Sequence, residues 1–155
     1  MQTPVAEAKC HKIDTDIVVV PILRAGVGML EGILELVPTA RVGFVGLYRD
    51  EETKLPVTYY ERFPPQIKGG TCIIIDPMLA TGGSTAAAID KLKEKGAENI
   101  VVICIVTCPE GIALVEEEHP DVPIYAAAID EKLDEKKYIV PGLGDAGDRL
   151  FGTSH

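Results

Sequence analysis

Residues 72–85 read Cys-Ile-Ile-Ile-Asp-Pro-Met-Leu-Ala-Thr-Gly-Gly-Ser-Thr. An apolar, β-branched run ends at a carboxylate, Asp76, and passes through Pro77, Met78, Leu79 and Ala80 into Thr81, Gly82, Gly83 and Ser84. The adjacent glycines let the main chain curl so that successive N–H groups face one point. Thr81, Ser84 and Thr85 add hydroxyls, and a helix opening here adds the positive end of its dipole. Such a loop cradles a phosphate monoester, while a carboxylate at its rim accepts hydrogen bonds from vicinal ribose hydroxyls. The competing reading is a glycine-rich strand-to-helix turn with Ser84 as a helix cap. No Gly-Lys-Ser or Gly-Lys-Thr follows, so this is not a Walker loop.

Three more stretches carry residues of the same kind. Pro21-Ile22-Leu23-Arg24-Ala25-Gly26-Val27-Gly28 sets a guanidinium, suited to a diphosphate, beside two glycines that permit a tight turn. Arg24 also reads as one half of a surface ion pair. A dinucleotide fingerprint competes for Gly26 and Gly28, supported by Asp50, but Glu31 stands where the third glycine belongs and Gly32 comes one residue late. Tyr48-Arg49-Asp50-Glu51-Glu52-Thr53 is either a solvated charge run or a second cationic contact through Arg49. The tail from Tyr138 to Thr153 is punctuated by glycines, so its main chain can approach a flat ligand closely. It also reads as a Gly-Asp turn cluster. The acidic spacing of a calcium loop is not met.

These stretches need a frame. Apolar runs predict strands over residues 17–23, 42–48, 71–76, 100–107 and 124–128, and helical composition covers 26–36, 84–95 and 109–118. Residues 49–65 read as a projecting hairpin or a mobile loop, and the tail as an ordered loop. Strands alternating with helices, and apolar on both faces, predict an α/β fold: a mostly parallel sheet covered by helices on both sides. Ligands bind such sheets beyond the carboxyl ends of the strands, which is where the stretches above fall.

With 155 residues, the chain is expected to be a single domain over 1–155. Apolar residues at 46% and charged residues at 25% suit a folded globule. A net charge of −9 argues against nucleic-acid binding. It also means that an anionic ligand must be held by backbone amides, metal ions and a few placed arginines. No apolar run approaches the roughly 18 residues of a membrane span, and the N-terminus lacks a signal core, so a cytoplasmic protein is expected. Cys72 and Cys104 sit in apolar runs and read as buried thiols, without disulfides. Cys104 and Cys108 have no second pair nearby that would make a zinc site, and no protein metal site is expected.

The stretch around Asp76 resembles the phosphoribosyl diphosphate motif of type I phosphoribosyltransferases. Pro77, where many members carry a second acid, matches the uracil phosphoribosyltransferase branch. The order Leu-Arg-Ala-Gly, Tyr-Arg-Asp-Glu, Asp-Pro-Met-Leu-Ala-Thr-Gly-Gly-Ser, Cys-Pro-Glu-Gly and Pro-Gly-Leu-Gly-Asp-Ala-Gly-Asp-Arg resembles that family from about Thr3 to Thr153. The resemblance implies transfer of the 5-phosphoribosyl group from 5-phosphoribosyl 1-diphosphate to uracil, giving UMP and pyrophosphate. It implies Arg24, Arg49, Asp76 and Asp145 as catalytic residues. Those four, with Pro77, Met78, Leu79, Ala80, Thr81, Gly82, Gly83 and Ser84, would bind the donor. Ile139, Gly144, Asp145 and Ala146 would bind uracil, mainly through the main chain.

Uracil sets two carbonyl acceptors beside one N–H donor, so backbone groups can match it and reject the amine of cytosine. The resemblance further implies Mg²⁺ carried on the substrate diphosphate, a homo-oligomer, and GTP as an effector in some members. Members usually carry a helical segment before the region that matches Thr3. From its absence here we expect an uncovered apolar surface and weakened activity. A transferase for another base, and a non-catalytic binding homologue, stay open as alternatives.

Overall fold

The computed structural model describes residues 1–11, 13–50 and 56–153. Its main sheet is built on β1 (Ile17–Leu23), β3 (Phe44–Arg49), β4 (Pro56–Arg62), β5 (Thr71–Leu79), β6 (Asn99–Thr107) and β7 (Ile124–Ile129), in the order β4-β3-β1-β5-β6-β7. A short β2 (Arg41–Val42) also pairs with β1. All pairings are parallel except β3–β4, which form an antiparallel hairpin. The run expected over 42–48 is thus two pieces on one partner, broken at Gly43, whose N–H donates to the Val19 carbonyl. The projecting segment is a hairpin in its described part. Residues 51–55, which include Glu51, Glu52 and Thr53 of the charge run, lie outside the described residues.

From β1 the chain moves to β3 through α1 (Val27–Leu36). From β5 it moves the other way, through α2 (Gly83–Glu94) to β6 and α3 (Pro109–Glu118) to β7. Right-handed crossovers in opposite directions put α1 on one face and α2 with α3 on the other. The order reverses between β1 and β5, and the crevice for a ligand opens at the carboxyl ends of these two strands.

Cover on the two faces is unequal. On the α2 face, Val18, Val20, Cys72, Ile74 and Val102 meet Ala88, Ile89, Leu92 and Val115, all fully buried. Burial of each large side chain there contributes roughly 1.5–3 kcal/mol. On the other face α1 covers β1 and β5, where Val19 and Ile75 are fully buried, while Ile105 on β6 and Tyr125 on β7 stay 46% and 61% exposed. The first strand, for which missing cover was expected, is itself buried on both faces, and the exposed apolar side chains lie on β6 and β7 instead.

Two further differences bear on the site. The strand expected to stop at Asp76 continues to Leu79, because β6 keeps pairing with it (Asp76↔Cys104, Met78↔Val106, Leu79↔Thr107) after β1 has turned away at Pro21↔Ile75. Pro77, which has no N–H to give, is passed over in that register. The tail is also more than a loop. It contains β9 (Ile139–Val140), antiparallel to β8 (Lys132–Leu133), and a short α4 (Ala146–Phe151).

Candidate functional site

Beyond Ile75 the side chains of β5 diverge. Asp76, Met78 and Ala80 line a cavity of about 220 Å³, Pro77 lines a neighbouring apolar cavity, and Leu79 is buried in the core. The opposite wall of the 220 Å³ cavity is the tail: Lys137, Tyr138, Ile139, Gly144, Asp145, Ala146 and Gly147, with Ala25 from the loop after β1. Of the residues expected to touch the donor and the base, Asp76, Met78, Ala80, Ile139, Gly144, Asp145 and Ala146 line this one cavity, whereas Arg24 and Thr81 to Ser84 do not.

Two carboxylates meet there. Burial pushes the Asp76 carboxyl up to about 7, and the nearby charge of Asp145 adds to the rise; the Met78 N–H, donating to Asp76 Oδ1 at 3.2 Å, opposes it. Asp145 Oδ1 accepts the Asp148 N–H at 2.8 Å and so caps α4. Among the described residues no cluster of three or more metal-ligating side chains exists. A pair of carboxylates fits Mg²⁺ brought in on phosphate oxygens and water better than a caged ion.

At the start of α2, Gly82 takes the cap position in the left-handed region (φ 84°), and no side chain caps the helix. The reading of Ser84 as a cap is therefore not realised, and the first-turn N–H groups, which have no intrahelical partner, lie beside Thr81 and the exposed Ser84. Thr85 departs from expectation: it is 2% exposed and belongs to the interior, the next residue on the buried side of α2. A Cβ on Gly82 would come within 2.8 Å of the Gly111 carbonyl, so α3 presses directly on this loop.

Arg24, after the cis Leu23–Arg24 peptide, is half-exposed. Its Nη2 meets Asp148 Oδ1 at 3.2 Å, and its Nη1 donates to Thr153 Oγ1 at 3.1 Å. Thr153 Oγ1 donates in turn to Asp148 Oδ1 at 2.6 Å. The ion-pair reading of Arg24 is realised, and it ties the β1 loop to the tail. Arg49 ends β3 on the β4 hairpin, and its side chain lies outside what the structure describes. Cys104 is core, and the Cys108 thiol donates to the Ala80 carbonyl at 3.2 Å.

Sequence reasoning missed Ala25, Lys137, Tyr138 and Gly147 on the cavity wall, and Asp148 and Thr153 around Arg24. All but Lys137 stood inside the stretches singled out above. Nothing in the sequence pointed to Lys137.

A family model described as Uracil phosphoribosyltransferase matches residues 1–153. Curated proteins named uracil phosphoribosyltransferase are similar over nearly the whole chain. The Clostridium botulinum (strain Eklund 17B / Type B) protein is 58% identical over 154 residues, covering 99% of this chain and 74% of its own length. The Alkaliphilus oremlandii protein is 59% identical over the same shares. Among solved structures, a protein of Aquifex aeolicus superposes with a TM-score of 0.91 at 41% identity, over 99% of this chain and 74% of its own. A purine phosphoribosyltransferase from Pyrococcus horikoshii, at a TM-score of 0.58 and 18% identity over 76% of this chain and 75% of its own, shares the fold.

Proposed function

The chain belongs to the uracil phosphoribosyltransferase family, and we propose that the 220 Å³ cavity is where it joins uracil to the 5-phosphoribosyl group of 5-phosphoribosyl 1-diphosphate, giving UMP and pyrophosphate. The observation that carries this placement is that Asp76, Met78 and Ala80 face Ile139, Gly144, Asp145 and Ala146 across one cavity.

In this reading the loop from Thr81 to Ser84 holds the 5'-phosphate on the open N–H groups of α2. Asp76 holds the ribose hydroxyls. Arg24, released in part from Asp148, and Arg49 take the leaving diphosphate, whose charge grows as the anomeric carbon becomes oxocarbenium-like. Ile139, Gly144 and Ala146 present main-chain groups to the base. Catalysis is then mostly positioning and electrostatic stabilisation. Asp76 and Asp145 also suit the magnesium ion that the family's donor implies, and that ion would supply charge neutralisation at the diphosphate. A chain of net charge −9, with two acids facing the site, favours a donor that arrives with its own cation.

The same family reading extends to self-association, to GTP as an effector and to a cytoplasmic setting. Among the described residues, no helix is long and apolar enough to cross a membrane.

The test is pyrophosphate release by the purified chain with each base in turn. Uracil is expected to support turnover and cytosine, adenine and orotate to be poor. Equal rates with cytosine would overturn the placement of the base against the tail.

A further inference from the structure

The segment Cys108-Pro109-Glu110-Gly111, which leaves β6 at Cys108 and forms the first turn of α3, has no task in the transfer reaction above. It touches both halves of the site. On the phosphate side, Thr107 Oγ1 just before it donates to the Leu79 carbonyl at 2.9 Å, and the Cys108 thiol donates to the Ala80 carbonyl at 3.2 Å. Gly111 packs so closely on Ala80 and Leu79 that a Cβ there would collide with both. On the base side, Glu110 Oε1 accepts the Leu133 N–H at 2.9 Å. Leu133 lies on β8 directly opposite Ile139 of β9.

One short turn is thus bonded to the strand that carries Asp76 and to the hairpin that carries the base wall. Elsewhere that hairpin is tied at its root, where the Asp130 N–H donates to the Thr107 carbonyl at 2.8 Å and Asp130 Oδ2 accepts the Gly142 N–H at 2.9 Å. Glu110 reaches it from another element.

We propose that Glu110 is a positioning residue that clasps the β8–β9 hairpin and so sets the base wall at its working distance from the phosphate loop. The Leu133 N–H, with Lys137 of the cavity wall contributing less, holds the Glu110 carboxyl below its ordinary value, so the clasp is ionised at neutral pH. Glu110 is exposed, so its hydrogen bond competes with water and its removal shifts affinity several-fold rather than abolishing it.

The kinetic part of this proposal rests on the uracil-transfer reading; the structural part does not. The experiment compares Glu110→Ala with Glu110→Gln, whose amide oxygen can still accept from Leu133. It reads exchange of the Leu133 amide proton by NMR together with steady-state kinetics. In Glu110→Ala, Leu133 exchange should speed up and KM for uracil should rise roughly 3- to 10-fold, with KM for the donor and Tm unchanged; Glu110→Gln should restore both readouts. Unchanged Leu133 exchange in Glu110→Ala, a parallel rise in both KM values, or a Gln variant as impaired as Ala would overturn the clasp. A wild-type chain inert toward uracil would instead sink the transfer reading, and the exchange data would still decide whether the clasp exists.

Discussion

Asp76, Met78 and Ala80 face Lys137 to Ile139 and Gly144 to Gly147 across one cavity; in the proposed function they belong to its phosphate side and its base side, and the two are held by different means. The phosphate side rests on the densest part of the molecule: Ile74, Ile75 and Leu79 of β5 and Ala88, Ile89 and Leu92 of α2 are essentially inaccessible to water. The base side has Ile139 and Ala146 buried, while most of its other residues are exposed. Its shape is kept by carboxylates that accept backbone N–H groups: Asp130 from Gly142, Asp134 from Lys136 and Tyr138, and Asp145 from Asp148. A charged phosphate needs amides that do not move, and a packed core supplies them. A flat base needs main-chain groups at a set spacing, and local turns supply those. The phosphate side should therefore respond to mutation chiefly through charge and burial, and the base side through hydrogen bonds.

The largest effect is expected at Asp76. Asp76→Asn removes the charge at the ribose rim, and kcat/KM should fall roughly ten- to thousand-fold. Its pH behaviour has two parts of opposite sign. The folded-state value near 7 lies above the ordinary carboxylate value, so the folded chain binds the extra proton between about pH 4 and 7. Stability from this group is full below about pH 4, declines as pH rises and levels off above about 7. Asp76→Asn should match the wild type in stability near pH 4 and exceed it at pH 8, by on the order of a few kcal/mol, read as a higher Tm. Donor use should run the other way, rising with ionisation through about pH 7 in the wild type and flat in the variant. Equal pH profiles of Tm for the two proteins would show that Asp76 is not held in a desolvating site.

A smaller effect, on the base side, separates a cap from a charge. Asp145→Ala removes the acceptor for the Asp148 N–H and should cost about 1 kcal/mol. Asn also caps helices, so Asp145→Asn should keep Tm but lose roughly tenfold in turnover if the carboxylate faces the donor. Turnover retained in Asp145→Asn would reduce Asp145 to a cap and leave Asp76 as the acid that matters.

The same contrast explains what the sequence disclosed. The phosphate side was legible because its signals are local: a β-branched run, an acid, a pair of glycines and a helix with a clear stop at Gly96. The strand's true end at Leu79 was not, since it depends on continued pairing with β6. The tail motif was recognised as a segment, but β8–β9 and α4 are short, and elements of two to six residues carry no periodicity to read. Ile139, Gly144, Asp145 and Ala146, singled out within that segment, line the cavity. The pairing of Arg24 with Asp148 joins residues more than a hundred positions apart and has no local signature.

The smallest effect should come from Lys137, which takes φ 70° in the turn set by Asp134. Its N–H donates to the Asp134 carbonyl at 3.0 Å, while Asp134 Oδ1 accepts from Lys136 and Tyr138, both at 2.8 Å. A left-handed backbone costs a side chain with a Cβ about 1–2 kcal/mol. Glycine escapes that cost but loses about 0.5–1 kcal/mol through its freer unfolded state. Lys137→Gly should therefore stabilise slightly, by about 0.5 kcal/mol, or a rise in Tm of about 1–2 °C at this chain length. Lys137→Ala keeps the Cβ and should show no such gain. Turnover should stay within about twofold in the Gly variant if the lysine serves the turn rather than the ligand. A thermal melt of the three proteins, with uracil kinetics alongside, checks both. A larger kinetic loss shared by Gly and Ala, without a stability change, would move Lys137 from the turn to the binding surface and make the base side dependent on charge after all.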